Sequence, residues 1–326
     1  MTAPKVLVTA PTLSDEAQQI LRDGGAGLVF MTEPVTEDAL VSRFSREPVA
    51  AVMMRGSPPF TRRVLEAAQG LRVIVKVGSG FESVDLHAAT GRGIAVMTSG
   101  TASADAVAEH TLALMLSLAR DLPRLDRSTR AGNWEQRHFK GREFRARTVG
   151  IVGYGHVGSR VARLVSAFGA RVVVHSRTRV PDLPGVVLER DLDRLLAQVD
   201  ILTLHGRLSE QTRGLIGKRE LALMKPEAIL INTARGALVD EAALVDALAN
   251  GRLAGAGLDA FAVEPTARDN PLFALPNVLC TSHVAAAAQE TVLRLATAAA
   301  RNVISFLRGE PYEKDDLANP EVIQSR

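Results

Sequence analysis

Three glycines in this chain have the spacing of a phosphate-binding turn. Gly153, Gly155 and Gly158 follow an apolar, strand-like run and open a pattern with helical periodicity. In that order of strand, turn and helix, the spacing predicts a dinucleotide-binding turn. Gly153 would permit the tight turn, Gly155 would let the backbone approach a pyrophosphate, and Gly158 would let helix and strand pack closely. The N–H groups at the helix N-terminus, around His156 and Val157, would bind the anion. The alternative is a glycine-rich turn that binds nothing.

The end of the next predicted strand, RVVVHS, indicates which dinucleotide would bind. An acidic residue at this place usually binds the ribose 2′-hydroxyl of NAD. Here the sequence has Ser176, Arg177 and Arg179 instead. A serine hydroxyl can hydrogen-bond a 2′-phosphate, and arginines can form ion pairs with it. The sequence therefore predicts NADP(H) in preference to NAD(H). Two surface arginines in a loop are the alternative.

Apolar strand-like runs alternate with helical patterns along the whole chain, which predicts an α/β protein with parallel sheets. Long helices are expected over about 103–120 and 289–308, and Asp240 is expected to cap a helix that ends near Gly251. The segment 121–147 is polar and is expected to be irregular, with Trp134 as a packing or subunit-contact residue.

Length, charge and cysteine content exclude several classes of protein. A chain of 326 residues predicts two domains. The net charge of +3 is dispersed and the basic cluster KGREFRAR lacks interleaved aromatics, so no nucleic-acid partner is expected. No apolar run reaches the ~20 residues of a membrane helix, and the first residues lack a signal-peptide pattern. With Cys280 as its single cysteine, expected to be buried in a strand, the chain is predicted to be cytoplasmic. No metal site is expected.

Five motifs, in this order, resemble those of the D-isomer-specific 2-hydroxyacid dehydrogenases, and the resemblance covers nearly the whole chain. They are VAEHTLALMLSLAR (107–120), GIVGYGHVG (150–158), LMKPEAILINTARGALVDEAAL (223–244), GLDAFAVEP (257–265) and TSHVAAA (281–287).

The resemblance implies two doubly wound parallel-sheet domains, a Rossmann cofactor domain inserted into a flavodoxin-like substrate domain. Residues 1–100 and 290–326 would form the substrate domain and residues 101–289 the dinucleotide-binding domain. It also implies an active site in a cleft at the carboxyl ends of the strands, and a homodimer formed through the helix from Ser103 and the segment 121–147. No regulatory domain is expected after residue 326.

The resemblance implies three catalytic residues. Arg235, in NTARG, would bind the substrate carboxylate with its planar fork and polarise the ketone. His283 would donate a proton to the carbonyl oxygen during reduction and remove it during oxidation. Glu264 would be the carboxylate partner that orients the histidine ring and favours its protonated form.

Further binding residues are implied more weakly. Thr233 and Asp259 would contact the cofactor, with Asp259 on the nicotinamide amide. The backbone at Val77 and Gly78 would hold the substrate carboxylate, and Arg55 would lie next to that pocket.

The sequence departs from the family pattern at a few positions, among them Glu82-Ser83 and Arg207, which puts the identity of the substrate in doubt. The expected activity is hydride transfer between NAD(P)H and a small 2-oxo acid such as glyoxylate or hydroxypyruvate, giving a D-2-hydroxy acid. Two alternatives stay open: a phosphite-type dehydrogenase, and a dinucleotide-sensing interaction protein of the same fold.

Overall fold

The chain divides into two compact units. The computed structural model describes residues 3–32, 34–177 and 185–324. Unit 1 comprises Met1–Ser103 and Ala287–Arg326, and unit 2 comprises Ala104–Ala286. Unit 2 is therefore inserted in sequence between two segments of unit 1. Each observed boundary lies three residues from the predicted one. Within the described ranges, no helix is both long and apolar enough to cross a membrane.

Unit 1 contains a five-stranded parallel sheet. Its strands, numbered through the whole chain, are β1 (Lys5–Val8), β2 (Gly27–Phe30), β3 (Ala51–Met54), β4 (Val73–Lys76) and β5 (Ala95–Met97). The spatial order is β2-β1-β3-β4-β5, which is the flavodoxin-like order and confirms the predicted fold of this unit. The sequence analysis did not predict β2, whose residues are only half-buried or exposed.

Helices cover this sheet, and side-chain caps begin most of them. They are α1 (Asp15–Asp23), α2 (Glu37–Arg46), α3 (Arg62–Ala67), α4 (Leu86–Gly91), α11 (Gln289–Arg308) and α12 (Glu321–Gln324). Ser14 accepts a hydrogen bond from the N–H of Ala17, and Thr36 does the same for Ala39. These bonds satisfy N–H groups that the first helical turn leaves unpaired. The predicted helix over 289–308 is confirmed at both ends.

A buried carboxylate fixes the C-terminal segment within unit 1. Asp316 is 3% exposed. It accepts hydrogen bonds from Asn302 Nδ2 at 3.1 Å and from the hydroxyls of Thr98 and Thr101 at 3.2 and 3.3 Å. Burial raises the pKa of Asp316, although these hydrogen bonds act in the opposite direction.

Unit 2 contains a seven-stranded parallel sheet. Its strands are β6 (Thr148–Val152), β7 (Arg171–His175), β8 (Val186–Leu188), β9 (Ile201–Leu204), β10 (Ile229–Asn232), β11 (Gly255–Leu258) and β12 (Val278–Cys280). The spatial order is β12-β11-β10-β9-β6-β7-β8. Counted from β6, this is the Rossmann order 3-2-1-4-5-6 with one added strand, so the predicted fold is confirmed. The central strands are buried on both faces, as their unbroken apolar runs predicted.

The helices of unit 2 include one that the sequence analysis placed in an irregular segment. They are α5 (Ala104–Ala119), α6 (Leu122–Arg130), α7 (His156–Ala167), α8 (Leu192–Gln198), α9 (Lys218–Leu223) and α10 (Glu241–Ala249). The expectation of an irregular segment was wrong for α6. This helix buries no residue, so it has no apolar stripe to reveal its period. Pro123 in its first turn and ion pairs such as Arg130–Asp126 stabilise it instead.

Candidate active site

Most of the predicted site residues lie at one edge of the sheet in unit 2. Carboxyl ends of parallel strands meet at the same edge, where open α/β sheets bind their ligands. Gly153 follows β6, Ser176 follows β7 and Thr233 follows β10, each directly. The loops after β10, β11 and β12 carry the three predicted catalytic residues, Arg235, Glu264 and His283.

Close packing of backbone against backbone requires Gly153 and Gly158. Gly153 has φ +96°, and a Cβ there would lie 2.7 Å from the backbone of His205 and Gly206. A Cβ on Gly158 would lie 2.1 Å from the carbonyl oxygen of Gly153. A side chain at Gly158 would therefore force the turn and α7 apart, as the sequence analysis expected. A side chain at Gly153 would instead push the turn away from the backbone that follows β9.

Gly155 differs, because no atom of the described residues limits it. Its φ of −90° and ψ of −156° are accessible to other residues, and a Cβ there would meet nothing within 4 Å. A side chain would instead fill the space beside the first turn of α7, whose N-terminus has no side-chain cap. The geometry fits a bound pyrophosphate, since an anion would accept hydrogen bonds from the N–H groups around His156 and Val157.

The end of β7 lies against this turn. The N–H of Gly153 donates to the carbonyl oxygen of His175 at 2.9 Å. Ser176 is buried and Arg177 is exposed. Arg190, which the sequence analysis did not single out, donates from Nη1 to the carbonyl oxygens of both residues at 2.9 and 3.1 Å. Arg179 falls outside the described residues.

The last residue of β10, Asn232, fixes the loop that carries Arg235. Asn232 Nδ2 donates to the carbonyl oxygen of Arg235 at 2.9 Å, and Asn232 Oδ1 accepts from the N–H of Ala234 at 3.1 Å. The next residue, Gly236, is packed so closely that a Cβ would lie 1.8 Å from the carbonyl carbon of Phe261. This contact joins the Arg235 loop to the loop that carries Glu264.

Glu264 and His283 form a hydrogen-bonded pair. His283 Nδ1 lies 2.6 Å from Glu264 Oε2, while Glu264 Oε1 accepts from the N–H of Phe261 at 2.9 Å. Since an ionised carboxylate only accepts, Nδ1 carries a proton. Nε2 makes no hydrogen bond to any described residue. The side chains are 46% and 36% exposed, so the pair can reach a ligand.

Asp259 and Thr233 are both buried at the sheet edge. The Asp259 carboxylate accepts from Thr281 Oγ1 at 2.6 Å and from the N–H groups of Val284 and Ala285 at 2.9 Å. Thr233 Oγ1 lies 2.8 Å from Thr111 Oγ1 on α5. The sequence analysis did not identify Thr281, because a threonine after a strand is common in loops. Contact of Asp259 and Thr233 with a cofactor stays a prediction.

Two other titratable groups near this edge are unsuited to acid–base or nucleophilic chemistry. Burial lowers the pKa of His205 to about 3, so its ring stays neutral. Burial raises the pKa of Cys280, in β12, to about 11, with Glu241 adding to the shift. Such a thiol is protonated at neutral pH and is a poor nucleophile. Cys280 lies in a strand as predicted, but it is half-buried there and not fully buried.

The predicted substrate residues belong to unit 1. Arg55 follows β3, and its Nη1 donates to the carbonyl oxygen of Thr12 at 3.2 Å. Val77 and Gly78 follow β4. The N–H of Val77 donates to Met54 and that of Gly78 to Ser99 Oγ, at 2.9 and 3.0 Å. Both N–H groups thus have partners within unit 1, and their role toward substrate stays a prediction.

Comparison with protein families identifies the chain. Residues 112–285, which are 174 of the 326, match the model of the D-isomer specific 2-hydroxyacid dehydrogenase, NAD binding domain. The chain belongs to this dehydrogenase family. Unit 2 contains the whole matched segment and is its NAD binding domain.

Several dehydrogenases and reductases of the family are similar over most of this chain. It is 38% identical over 312 residues to the D-3-phosphoglycerate dehydrogenase of Methanocaldococcus jannaschii, covering 95% of this chain and 58% of that protein. It is 37% identical to the glyoxylate reductase of Aeropyrum pernix, covering 100% of this chain and 99% of the other. The chain thus spans little more than half of the first relative and nearly all of the second.

A solved structure of the family shares the whole fold. The NADPH-dependent glyoxylate/hydroxypyruvate reductase of Sinorhizobium meliloti, in complex with NADP and malonate, superimposes with a TM-score of 0.81 at 29% identity. The match covers 94% of each chain.

Proposed function

We propose that this 2-hydroxyacid dehydrogenase reduces a small 2-oxo acid to a D-2-hydroxy acid with NAD(P)H. The observation that carries the proposal is the 2.6 Å pair of His283 and Glu264 on the sheet edge that bears the dinucleotide turn. The names of the similar proteins, D-3-phosphoglycerate dehydrogenase and glyoxylate reductase, support an enzyme over a sensing protein.

Arg235 binds the substrate in this mechanism. Its guanidinium donates to the carboxylate in a bidentate geometry and polarises the neighbouring ketone. As negative charge develops on the ketone oxygen, that contact strengthens, so Arg235 lowers the barrier as well as KM. The Asn232 hydrogen bonds hold the loop in the conformation that presents the guanidinium.

His283 moves the proton. A dinucleotide held at the turn of Gly153, Gly155 and Gly158 would supply the hydride for reduction of the ketone. His283 Nε2 donates a proton to the carbonyl oxygen. Glu264 accepts the hydrogen bond from Nδ1, which fixes the ring so that Nε2 faces the substrate and stabilises the protonated ring before transfer. Oxidation runs through the same groups in reverse.

We further propose a preference for NADPH. Ser176 and Arg177 stand where an acid would repel a 2′-phosphate, and Arg190 fixes the backbone of both residues. The changes Ser176→Asp with Arg177→Ser should move the preference toward NADH. A wild-type kcat/KM that is higher with NADH would contradict the assignment.

The activity is tested with glyoxylate, hydroxypyruvate and longer 2-oxo acids, each with NADPH and with NADH. Turnover of at least one 2-oxo acid is expected. It should fall in Arg235→Lys and stay unchanged in Arg252→Lys, an exposed arginine of unit 2 that serves as the matched control. Binding of NADPH without any turnover would favour the sensing protein, and NADP⁺ reduction by phosphite alone would favour the phosphite dehydrogenase.

Arg55, Val77 and Gly78 are proposed to bind the substrate. A guanidinium and backbone N–H groups are the donors that a carboxylate requires. Arg55→Met should raise KM for the best 2-oxo acid by about tenfold or more with little change in the Kd of NADPH, since one charge-assisted hydrogen bond contributes ~1.5–3 kcal/mol. An unchanged KM would remove Arg55 from the site.

The protein is proposed to be a homodimer formed through α5, α6 and the segment up to 147. Two large apolar side chains there are exposed, Trp134 at 78% and Leu122 at 52%. Light scattering should give about twice the chain mass of 34.8 kDa. The double change Leu122→Ser and Trp134→Ser should shift the mass toward the monomer, and a monomeric wild type at micromolar concentration would refute the proposal.

A cytoplasmic location is also proposed. Cys280 is a free cysteine, and a chain with one thiol cannot form an internal disulfide. Cell fractionation with antibody detection would place the protein, and recovery with an extracytoplasmic marker would contradict the proposal.

A further inference from the structure

The backbone of the catalytic histidine has an unusual conformation. His283 has φ +56°, in the left-handed region that non-glycine residues rarely adopt. Such a conformation is unfavourable and persists only where surrounding contacts fix it. The segment 281–285, with His283 at its centre, must therefore be held by specific bonds.

Those bonds come largely from one residue. The carbonyl oxygen of Asp259 accepts from the N–H of His283 at 2.8 Å. Its side-chain Oδ1 accepts from Thr281 Oγ1 and the N–H of Val284, and Oδ2 accepts from the N–H of Ala285. Asp259 thus binds the segment on both sides of the histidine, and its side chain has no exposed surface.

Thr281 extends the arrangement to α5. Its hydroxyl proton is used in the 2.6 Å bond to Asp259, so the hydroxyl accepts from His110 Nε2, which lies 3.0 Å away. His110 Nε2 is also 3.7 Å from Asp259 Oδ1. Among the described residues, Asp259, His110 and Glu264 are thus titratable groups that contact this segment.

We infer that Asp259 and Thr281 are positioning residues that hold the 281–285 segment so that His283 stays bonded to Glu264. This inference rests on the proposed role of His283 as the acid–base group. It assigns Asp259 an action through the histidine backbone, separate from the nicotinamide contact that the family resemblance implied. Three donors bind its carboxylate, and each of them belongs to the segment that carries His283.

Asp259→Asn tests the carboxylate. The amide oxygen can still accept the hydrogen bonds from Thr281 Oγ1 and the N–H of Val284. The amide nitrogen is a donor and would face the N–H of Ala285, so that bond is lost. Misplacement of a catalytic group by about 1 Å can cost 10²-fold, so kcat should fall by roughly 10- to 100-fold.

Two variants at Thr281 keep the test valid if Asp259→Asn does not fold. Thr281→Val is nearly isosteric and loses both hydroxyl bonds, so it should lower kcat. Thr281→Ser retains the hydroxyl and should keep kcat near the wild-type value. In the Thr281→Val background, Glu264→Gln should have a smaller effect on the pH profile than in the wild type, because the pair is already separated. A structural role alone would not produce that coupling.

Hydrogen–deuterium exchange separates this inference from the proposed function. In Asp259→Asn and Thr281→Val, a peptide spanning residues 281–286 should exchange faster than in the wild type, with peptides of the β6–α7 turn unchanged. This readout needs no substrate, so it remains decisive even if the wild type turns over no 2-oxo acid. Unchanged exchange at 281–286 in both variants would overturn the inference.

Discussion

Alanine at two glycines of the dinucleotide turn should damage two different properties. At Gly158, the Cβ would lie 2.1 Å from the Gly153 carbonyl oxygen, where ordinary contact begins at 3.4 Å, so turn and helix must separate by about 1.3 Å. Overpacking of this kind costs ~1–3 kcal/mol. For a unit of 183 residues, 104–286, this corresponds to a fall in Tm of roughly 2–12 °C.

At Gly155 the expected result is the reverse. A Cβ there would meet no atom of the described part of the chain within 4 Å, so Gly155→Ala should leave Tm within about 2 °C of the wild type. The methyl group would displace the pyrophosphate and cost at least one charge-assisted hydrogen bond, about 1.5–3 kcal/mol. The Kd of NADPH should therefore rise by roughly 10- to 150-fold.

The assay combines thermal unfolding with fluorescence titration of NADPH for both variants. Gly91→Ala is the control, since its Cβ also meets nothing within 4 Å but the residue lies in α4 of unit 1. It should change neither quantity. The reasoning is refuted if Gly155→Ala binds NADPH as the wild type does, or if Gly158→Ala keeps the wild-type Tm.

Four further predictions concern single side chains. Arg235→Lys keeps the charge but loses the bidentate fork, so steady-state kinetics should show KM raised and kcat lowered together; an unchanged kcat/KM would remove the residue from the site. Glu264→Gln removes the carboxylate that lies 2.6 Å from His283 Nδ1, so kcat for reduction should fall, and an unchanged kcat would contradict the pairing. Burial raises the pKa of Asp316, so the folded chain holds a proton that the unfolded chain has lost, and the free energy of unfolding should fall as pH rises from about 4 through that pKa. Urea unfolding of Asp316→Asn should lack this component, and equal slopes would refute it. Cys280, with its raised pKa, should react slowly with a thiol reagent at pH 8, and Cys280→Ser should keep full activity; rapid labelling of the folded protein would contradict this.

The sequence predicted those elements whose burial or caps leave a strong local pattern. The runs that became β6 and β9 are mostly apolar, because both faces of these strands are covered. The N-cap at Asp240 was predicted correctly, and its side chain accepts from the N–H of Ala243. By contrast, β8 is short and largely exposed, and α6 buries nothing, so neither has a periodic signal.

Motifs in the sequence identified single residues of the site, but they did not reveal the hydrogen bonds between those residues. His283 and Glu264 are 19 residues apart and meet through a hydrogen bond that no spacing rule encodes. The chain of contacts from His110 through Thr281 to Asp259 joins three segments separated by up to 171 residues. Such contacts follow from the order of the strands in the sheet, which only the folded structure supplies.

The left-handed backbone at His283 has a practical consequence for trapping a complex with substrate. In His283→Ala, an alanine would have to adopt the left-handed backbone conformation, which is unfavourable for it. Asparagine visits left-handed conformations more readily than most residues and has no group able to exchange a proton at neutral pH. His283→Asn is therefore the better inert enzyme for crystallising the chain with both dinucleotide and 2-oxo acid, since it should preserve the local backbone while stopping the reaction.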